Sequence, residues 1–166
     1  MLRIYDNLDN MDFRQLMDVY GEWNELNGAE QYPNLPLNLQ LLYAEQDFYY
    51  FLKEFFAGNG AIYCLWEHQN HYKAALRLED YSDGLLLEAL ETAPEERRCG
   101  YAKHLLLATL EYVAGKGKYK IYSHISKNNR ASLTLHQSCG FVIISDNAVF
   151  IDDTFHSDYY TLLYKC

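Results

Sequence analysis

The stretch GLLLEALETAPEERRCGYAKHLLLATLEYV, residues 84–113, constrains the fold more than any other part of the chain. Its first nine residues form a leucine-rich run without polar alternation, the pattern of a strand buried on both faces. A polar turn follows, carrying Arg97, Arg98 and Gly100. Beyond it Ala102, Leu105, Leu106, Leu110 and Val113 fall on one helical face. A strand that runs through a short turn into a helix aims free backbone N–H groups at one spot. Those donors and the helix dipole favour an anion, phosphate foremost. Gly100 adds no side chain to obstruct it, Ala102 is small, and Arg97, Arg98 and Lys103 add charge. The turn has neither the GxxxxGK[ST] pattern of a triphosphate loop nor the GxGxxG pattern of a dinucleotide site. A plain strand-to-helix connection is the alternative.

The remaining chain supplies a mixed set of elements. LRIYDNL reads as a first strand. A helix starts at Phe13, with Asn10 as its cap, and Phe13, Leu16, Met17, Tyr20 and Trp23 share its apolar face. Gly28, Pro33 and Pro36 mark residues 27–38 as a loop, and a second, aromatic-rich helix spans 39–57 up to the GNG break. AIYCLWE and YKAALRLE flank HQNH as a hairpin. After the helix at 101–114 come a strand at 119–126, a short helix at 129–139 closed by Gly140, and strands at FVIIS and DYYTLLYK. The order describes one α/β domain covering residues 1–166.

At 166 residues the chain can bury a full core. The net charge of −9 is unevenly spread. Residues 1–60 carry ten acids against Arg3, Arg14 and Lys53, whereas residues 97–130 carry eight bases against Glu111 alone. Either the charges are solvated surface or the chain holds two sites of opposite sign, one for an anion and one for a cation. Cys64, Cys99, Cys139 and Cys166 show no metal-like or disulfide-scaffold spacing, which favours reduced thiols and a cytoplasmic location. No apolar run approaches the roughly 20 residues of a membrane span.

Two segments carry a family resemblance. PEERRCGYA, residues 94–102, resembles the R-x-x-G-x-A pyrophosphate loop of the GNAT superfamily of acyl-CoA-dependent N-acetyltransferases, with Arg97, Gly100 and Ala102 on its fixed positions. NRASLTLHQSCGF, residues 129–141, resembles the later N-x-x-[AS]-x-x-[LF]-[YH]-x-x-x-G-F element of that superfamily, matched by Asn129, Ser132, Leu135, His136, Gly140 and Phe141. The resemblance implies a mostly antiparallel central sheet with helices on both faces. Within it, one parallel pair, 84–92 and 119–126, splays apart. It also implies that acetyl-CoA, without a metal, lies in that cleft. Its pantetheine arm would follow the strand ending at Thr92, and its pyrophosphate would meet Arg97, Arg98, Cys99, Gly100, Tyr101, Ala102 and Lys103, with Asn129 nearby.

The implied reaction is acetyl transfer to a primary amine, expected to be that of a cationic small molecule, with no nucleic-acid or membrane partner. A protein or peptide acetyltransferase and a non-catalytic acyl-CoA sensor are the rivals, and a homodimer is left open. Amine acetylation requires a neutral amine and a proton for the departing thiolate. By register His136 is the acid, although packing on its helix would equally explain it. Glu88 is the favoured base, because a carboxylate in a leucine-rich strand is costly unless paired. Glu91 lies three positions on and faces the other side unless a bulge intervenes. Ion pairing of both, with no dedicated base, is the alternative. His68 and His71 read as a solvated turn, Cys99 as a spectator, and the aromatic run Phe48–Phe56 as core. Tyr20, Trp23 and Tyr32 would contact an amine by cation–π interaction only if they face the acceptor site.

Overall fold

The computed structural model describes residues 1–58, 60–117 and 120–165. Asn59 of the GNG break, Lys118, Tyr119 (the expected first residue of the strand 119–126) and Cys166 lie outside the described residues.

Strand β1 (Leu2–Tyr5) leads to α1 (Phe13–Val19), α2 (Gly21–Gln31) and α3 (Leu37–Ala57). Three strands follow, β2 (Ile62–His68), β3 (His71–Tyr81) and β4 (Gly84–Thr92). A single 3-10 turn at Pro94–Glu96 enters α4 (Tyr101–Gly115). Then come β5 (Lys120–Ser126), α5 (Arg130–Ser138), β6 (Val142–Ser145), β7 (Ala148–Val149), β8 (Phe155–His156) and β9 (Tyr159–Lys165). The seven-stranded sheet has the order β1-β2-β3-β4-β5-β9-β6, and β7 and β8 form a separate ribbon.

The expected helix from Phe13 is interrupted: α1 ends at Val19 and α2 begins at Gly21. The cap of α1 is Asp12, not Asn10; its carboxylate accepts from the Gln15 backbone N–H at 3.1 Å. The expected loop from residue 27 is helical as far as Gln31. Gly28 belongs to a helix–helix contact, since a Cβ there would stand 2.6 Å from the Gln40 carbonyl oxygen. Its missing side chain lets α2 and α3 approach closely, and the packing offsets its low helix propensity.

The strands divide the core into two layers. Cys64, Ala74, Leu76, Leu78, Leu85, Leu87 and Ile121 face Leu105, Leu106, Leu110 and Val113 of α4. Tyr63, Leu65 and Ala75 face Leu16, Met17, Phe48, Leu52 and Phe55 of α1 and α3. The sheet is antiparallel except at β4 and β5, which pair in parallel only from Leu85–Leu87 to Ile121–Ser123. Gly84 permits that pairing, because a Cβ there would come within 2.4 Å of the Lys120 carbonyl oxygen. Beyond Leu87 the two strands part.

Candidate active site

The parting of β4 from β5 opens a cavity of about 210 Å³. Glu88–Glu91 line one side, Ser123–Ser126 the other, and Asn129, Ser132 and His136 of α5 close its floor with Tyr159. Past Thr92 the chain turns into α4 at Gly100, whose φ of +83° lies in the left-handed region that glycine enters without strain. An added Cβ at Gly100 would find only His104 Cε1, at 3.8 Å, so the space before the helix is open. The first bond of α4 runs from His104 N–H to the Gly100 carbonyl. The amides ahead of it, through Tyr101, Ala102 and Lys103, are the orphan donors of a helix start. Cys99 and Lys103 are exposed beside them, as is Arg98, held at a φ of 65°. Tyr101 is half-buried, with its ring 5.8 Å from that of His68.

Arg97 turns elsewhere. Its guanidinium contacts Glu22 of α2 at 2.8 Å and Glu91 at 4.0 Å, bridging the turn to the opposite layer. Asn129 caps α5, its Oδ1 accepting from the Ser132 N–H at 3.1 Å. That cap holds the helix start at the edge of the cavity.

β4 is bulged where it lines the cavity. Ala75 of β3 pairs with Glu91, and Arg77 with Glu88. Two residues of β3 thus span three of β4, with Ala89 at a φ of +51°. The extra residue brings Glu88 and Glu91 onto the same face of the sheet, the α1–α3 face. The Ala89 carbonyl, turned outward, accepts the Tyr20 hydroxyl at 2.7 Å.

A second cavity, of about 440 Å³, lies on that face between α2, α3 and the sheet. Tyr20, Trp23, Phe48 and Phe51 give it aromatic walls, and Asn27, Asp47, Arg77, Ala89 and Glu91 complete it. Ala89 and Glu91 also line the cleft between β4 and β5, so the bulge is a wall common to the two cavities. Burial raises the Glu91 carboxyl above the usual carboxylate range, and Arg97 offsets this only in part. Glu88 accepts from both Nε and Nη2 of Arg77, at 3.1 and 3.0 Å on one oxygen. The Arg77 guanidinium in turn lies over the ring of Phe51 at 4.6 Å. Behind this pair, burial and the charge of Glu88 push Glu79 up to about 7.

His136 is 1% exposed and packs edge-on to Phe141. Its Nδ1 lies 2.9 Å from the Ser132 carbonyl, which can only accept, so Nδ1 carries the proton of the neutral ring. Nε2, 3.5 Å from Ser123 Oγ, is then an acceptor. Burial lowers the pKa of the ring, which favours this neutral form.

The geometry therefore combines a helix start with free amide donors, a cleft between parted strands and a carboxylate-bearing pocket. The family model for the acetyltransferase (GNAT) family matches residues 22–141, most of the chain. The chain belongs to the GNAT family. GNAT structures resemble it over its full length: PaiA N-acetyltransferase from Thermoplasma acidophilum, in complex with coenzyme A, shares 15% identity and a TM-score of 0.66. It covers 100% of this chain and 99% of its own. Spermidine N-acetyltransferase from Vibrio cholerae, with CoA and spermine, shares 19% identity at a TM-score of 0.66, covering 99% and 95%. Aminoglycoside 6'-acetyltransferase type Ii shares 14% at 0.67, covering 99% and 96%. At these identities the likeness is one of fold. No curated protein matches the chain by sequence. Among the described residues no cluster of His, Cys, Asp or Glu is arranged for a metal, and no helix is long and apolar enough to cross a membrane.

Several site residues were not singled out from the sequence. Arg77 had a signal, a lone cation between Leu76 and Leu78 in a buried strand. Asp47 had only a collective one, as one of the ten acids of residues 1–60, a charge that solvated surface would equally explain.

Proposed function

We propose that this chain is an acetyl-CoA-dependent N-acetyltransferase acting on a primary amine of a cationic small molecule. One observation carries the proposal: Glu91, with a raised pKa, lines both the aromatic pocket and the cleft of β4 and β5. Family membership supports acetyl transfer. The open space at Gly100 and the orphan amides of α4 fit a pyrophosphate, and the edge of β4 up to Thr92 fits an extended amide-bearing arm. Acetyl-CoA would supply the thioester; the chain supplies position and proton handling.

An ammonium ion entering the second cavity meets Asp47 and Glu91, whose charge favours it. Glu91 takes its proton, directly or through one water, so that the nitrogen can attack. Glu91 is preferred here to Glu88, whose Oε2 is occupied by Arg77. Glu88 and Arg77 instead hold β3 and β4 in register beside the bulge. His136 has no proton on the atom nearest Ser123, so its role in this proposal is to pack the cleft floor rather than to act as the acid. A thiol of pKa about 8.5 leaves without much help. Thr92, Gly100, Tyr101 and Ala102 contribute backbone, Lys103 and Arg98 contribute charge, and Cys99 is a bystander.

Thiol release from acetyl-CoA over a panel of amines, peptides and aminoglycosides tests the proposal. Turnover of small cationic amines is expected. Turnover of peptides alone, or tight acetyl-CoA binding with no turnover, would overturn it.

A further inference from the structure

We infer that the acceptor is a two-headed amine. One primary amine reacts beside Glu91, and a second ammonium, beyond an uncharged spacer, is held by Asp47. This rests on the amine acetyltransferase proposed above and narrows its substrate class.

The charges around the aromatic pocket fall into three groups. At the end facing the cleft, Glu22 and Glu91 share Arg97, leaving one net negative charge. Along the wall, Arg77 is paired with Glu88, and the two cancel. At the outer end stands Asp47, exposed and without a cationic partner among the described residues. Its Oδ2 accepts the Tyr32 hydroxyl at 2.5 Å, which fixes the carboxylate's direction.

Two single negative charges thus flank a neutral stretch. That stretch is apolar, with Trp23 and Phe48 5.7 Å apart by ring centroid and Phe48 stacked on Phe51 at 5.8 Å. Trp23, which lines the pocket, is 46% exposed. A methylene or aryl spacer would cover it, and the aromatic faces would attract the cations at either end. A charge in mid-chain would find no unpaired carboxylate there and would lose hydration against the aromatic walls. The ends are separated along α2, from Glu22 in its first turn to Tyr32 at its C-cap, about 15 Å at 1.5 Å per residue. Side chains reach inward from both, so a spacer of several methylenes fits.

The test compares kcat/KM in thiol release for linear α,ω-diamines of three to eight carbons with straight-chain monoamines of equal length. A triamine with a mid-chain nitrogen is the third probe. Diamines are expected to exceed monoamines at least tenfold, with an optimum spacer length, and to exceed the triamine. In Asp47→Asn, shown to be folded by its melting temperature, the diamine-to-monoamine ratio should fall at least tenfold. If that variant does not fold, the wild type gives a second readout: added salt should lower kcat/KM for diamines more than for monoamines. Diamines and monoamines within threefold of each other, an unchanged ratio in folded Asp47→Asn, or equal salt effects would overturn the inference while leaving amine acetylation standing. No thiol release with any amine would overturn both.

Discussion

Glu88 and Glu91, three residues apart on one strand, project from the same face of the sheet because Ala89 adopts a left-handed φ of +51° between them. An alanine in that conformation costs about 1–2 kcal/mol relative to ordinary backbone. The bulge is held by the Tyr20 hydroxyl on the Ala89 carbonyl and by the Arg77–Glu88 ion pair. Ala89→Gly should therefore be as stable as the parent or more so, whereas Ala89→Val should lose at least about 1 kcal/mol, since a β-branched residue is a severe outlier there. Urea unfolding of the two variants checks this. Equal stability of glycine and valine would contradict it.

Glu79 supplies a pH dependence of stability. Its pKa in the folded chain is about 7, against an ordinary 4.5. Between those values the folded state holds more protons than the unfolded state, so stability falls as pH rises. The favourable contribution is complete below 4.5 and is lost as pH passes through 7. Glu79→Gln cannot titrate. Its stability relative to wild type should rise from pH 4.5 to pH 8, as read from urea midpoints at the two values. A pH-independent difference would contradict the assignment.

The turn before α4 makes a separate prediction about acetyl-CoA. Asn and Asp both tolerate left-handed backbone better than other non-glycine residues, so Gly100→Asn and Gly100→Asp should both fold. Only the second places a negative charge against the expected pyrophosphate. Calorimetry should show at least tenfold weaker binding for Gly100→Asp, about 1.4 kcal/mol, and a smaller loss for Gly100→Asn. Equal affinities in the two variants would show that the charge at this position does not matter.

His136 offers a clear contrast between two roles. A general acid is worth about 10²–10⁴ in rate. With Nδ1 donating to the Ser132 carbonyl and the ring neutral, His136 has no proton to give towards the cleft. His136→Asn keeps a donor near the Nδ1 position. It should lower kcat less than about tenfold, despite some loss of stability from the smaller side chain. A fall of a hundredfold or more at unchanged KM would restore His136 as the acid.

Much of the turn and helix at the end of β4 was legible in the sequence, and the reason is local. Gly100 and the turn before it, the apolar face of α4 and the Gly140 that closes the short helix are short-range features, and each leaves a pattern within a few residues. The parallel pair was implied by the family resemblance that the segments 94–102 and 129–141 carry. The amine side depends on contacts between distant segments. The bulge at Ala89 has no glycine to announce it, and it exists because Tyr20 and Arg77 hold it from two other elements. Gly28 resembled a helix breaker because its partner, the Gln40 backbone, lies on another helix. Asp47 was one of ten acids in residues 1–60 and Trp23 one of three aromatic candidates for an amine contact, and only the packing of α2 against α3 brings the two to one pocket. Even Arg97, correctly read as part of the turn, directs its guanidinium to Glu22 and Glu91, a choice that only the tertiary structure reveals.

The most direct test of the account is the pH dependence of kcat/KM for wild type and Glu91→Gln with one cationic amine. Glu91, its pKa raised by burial, must be ionised to take the amine's proton. Wild-type kcat/KM should therefore climb with pH through a midpoint above the usual carboxylate range. Glu91→Gln should be about 10²–10⁴ slower and should lack that midpoint, leaving only the rise due to the amine itself. A folded Glu91→Gln enzyme within threefold of wild type, with the same pH profile, would contradict the account.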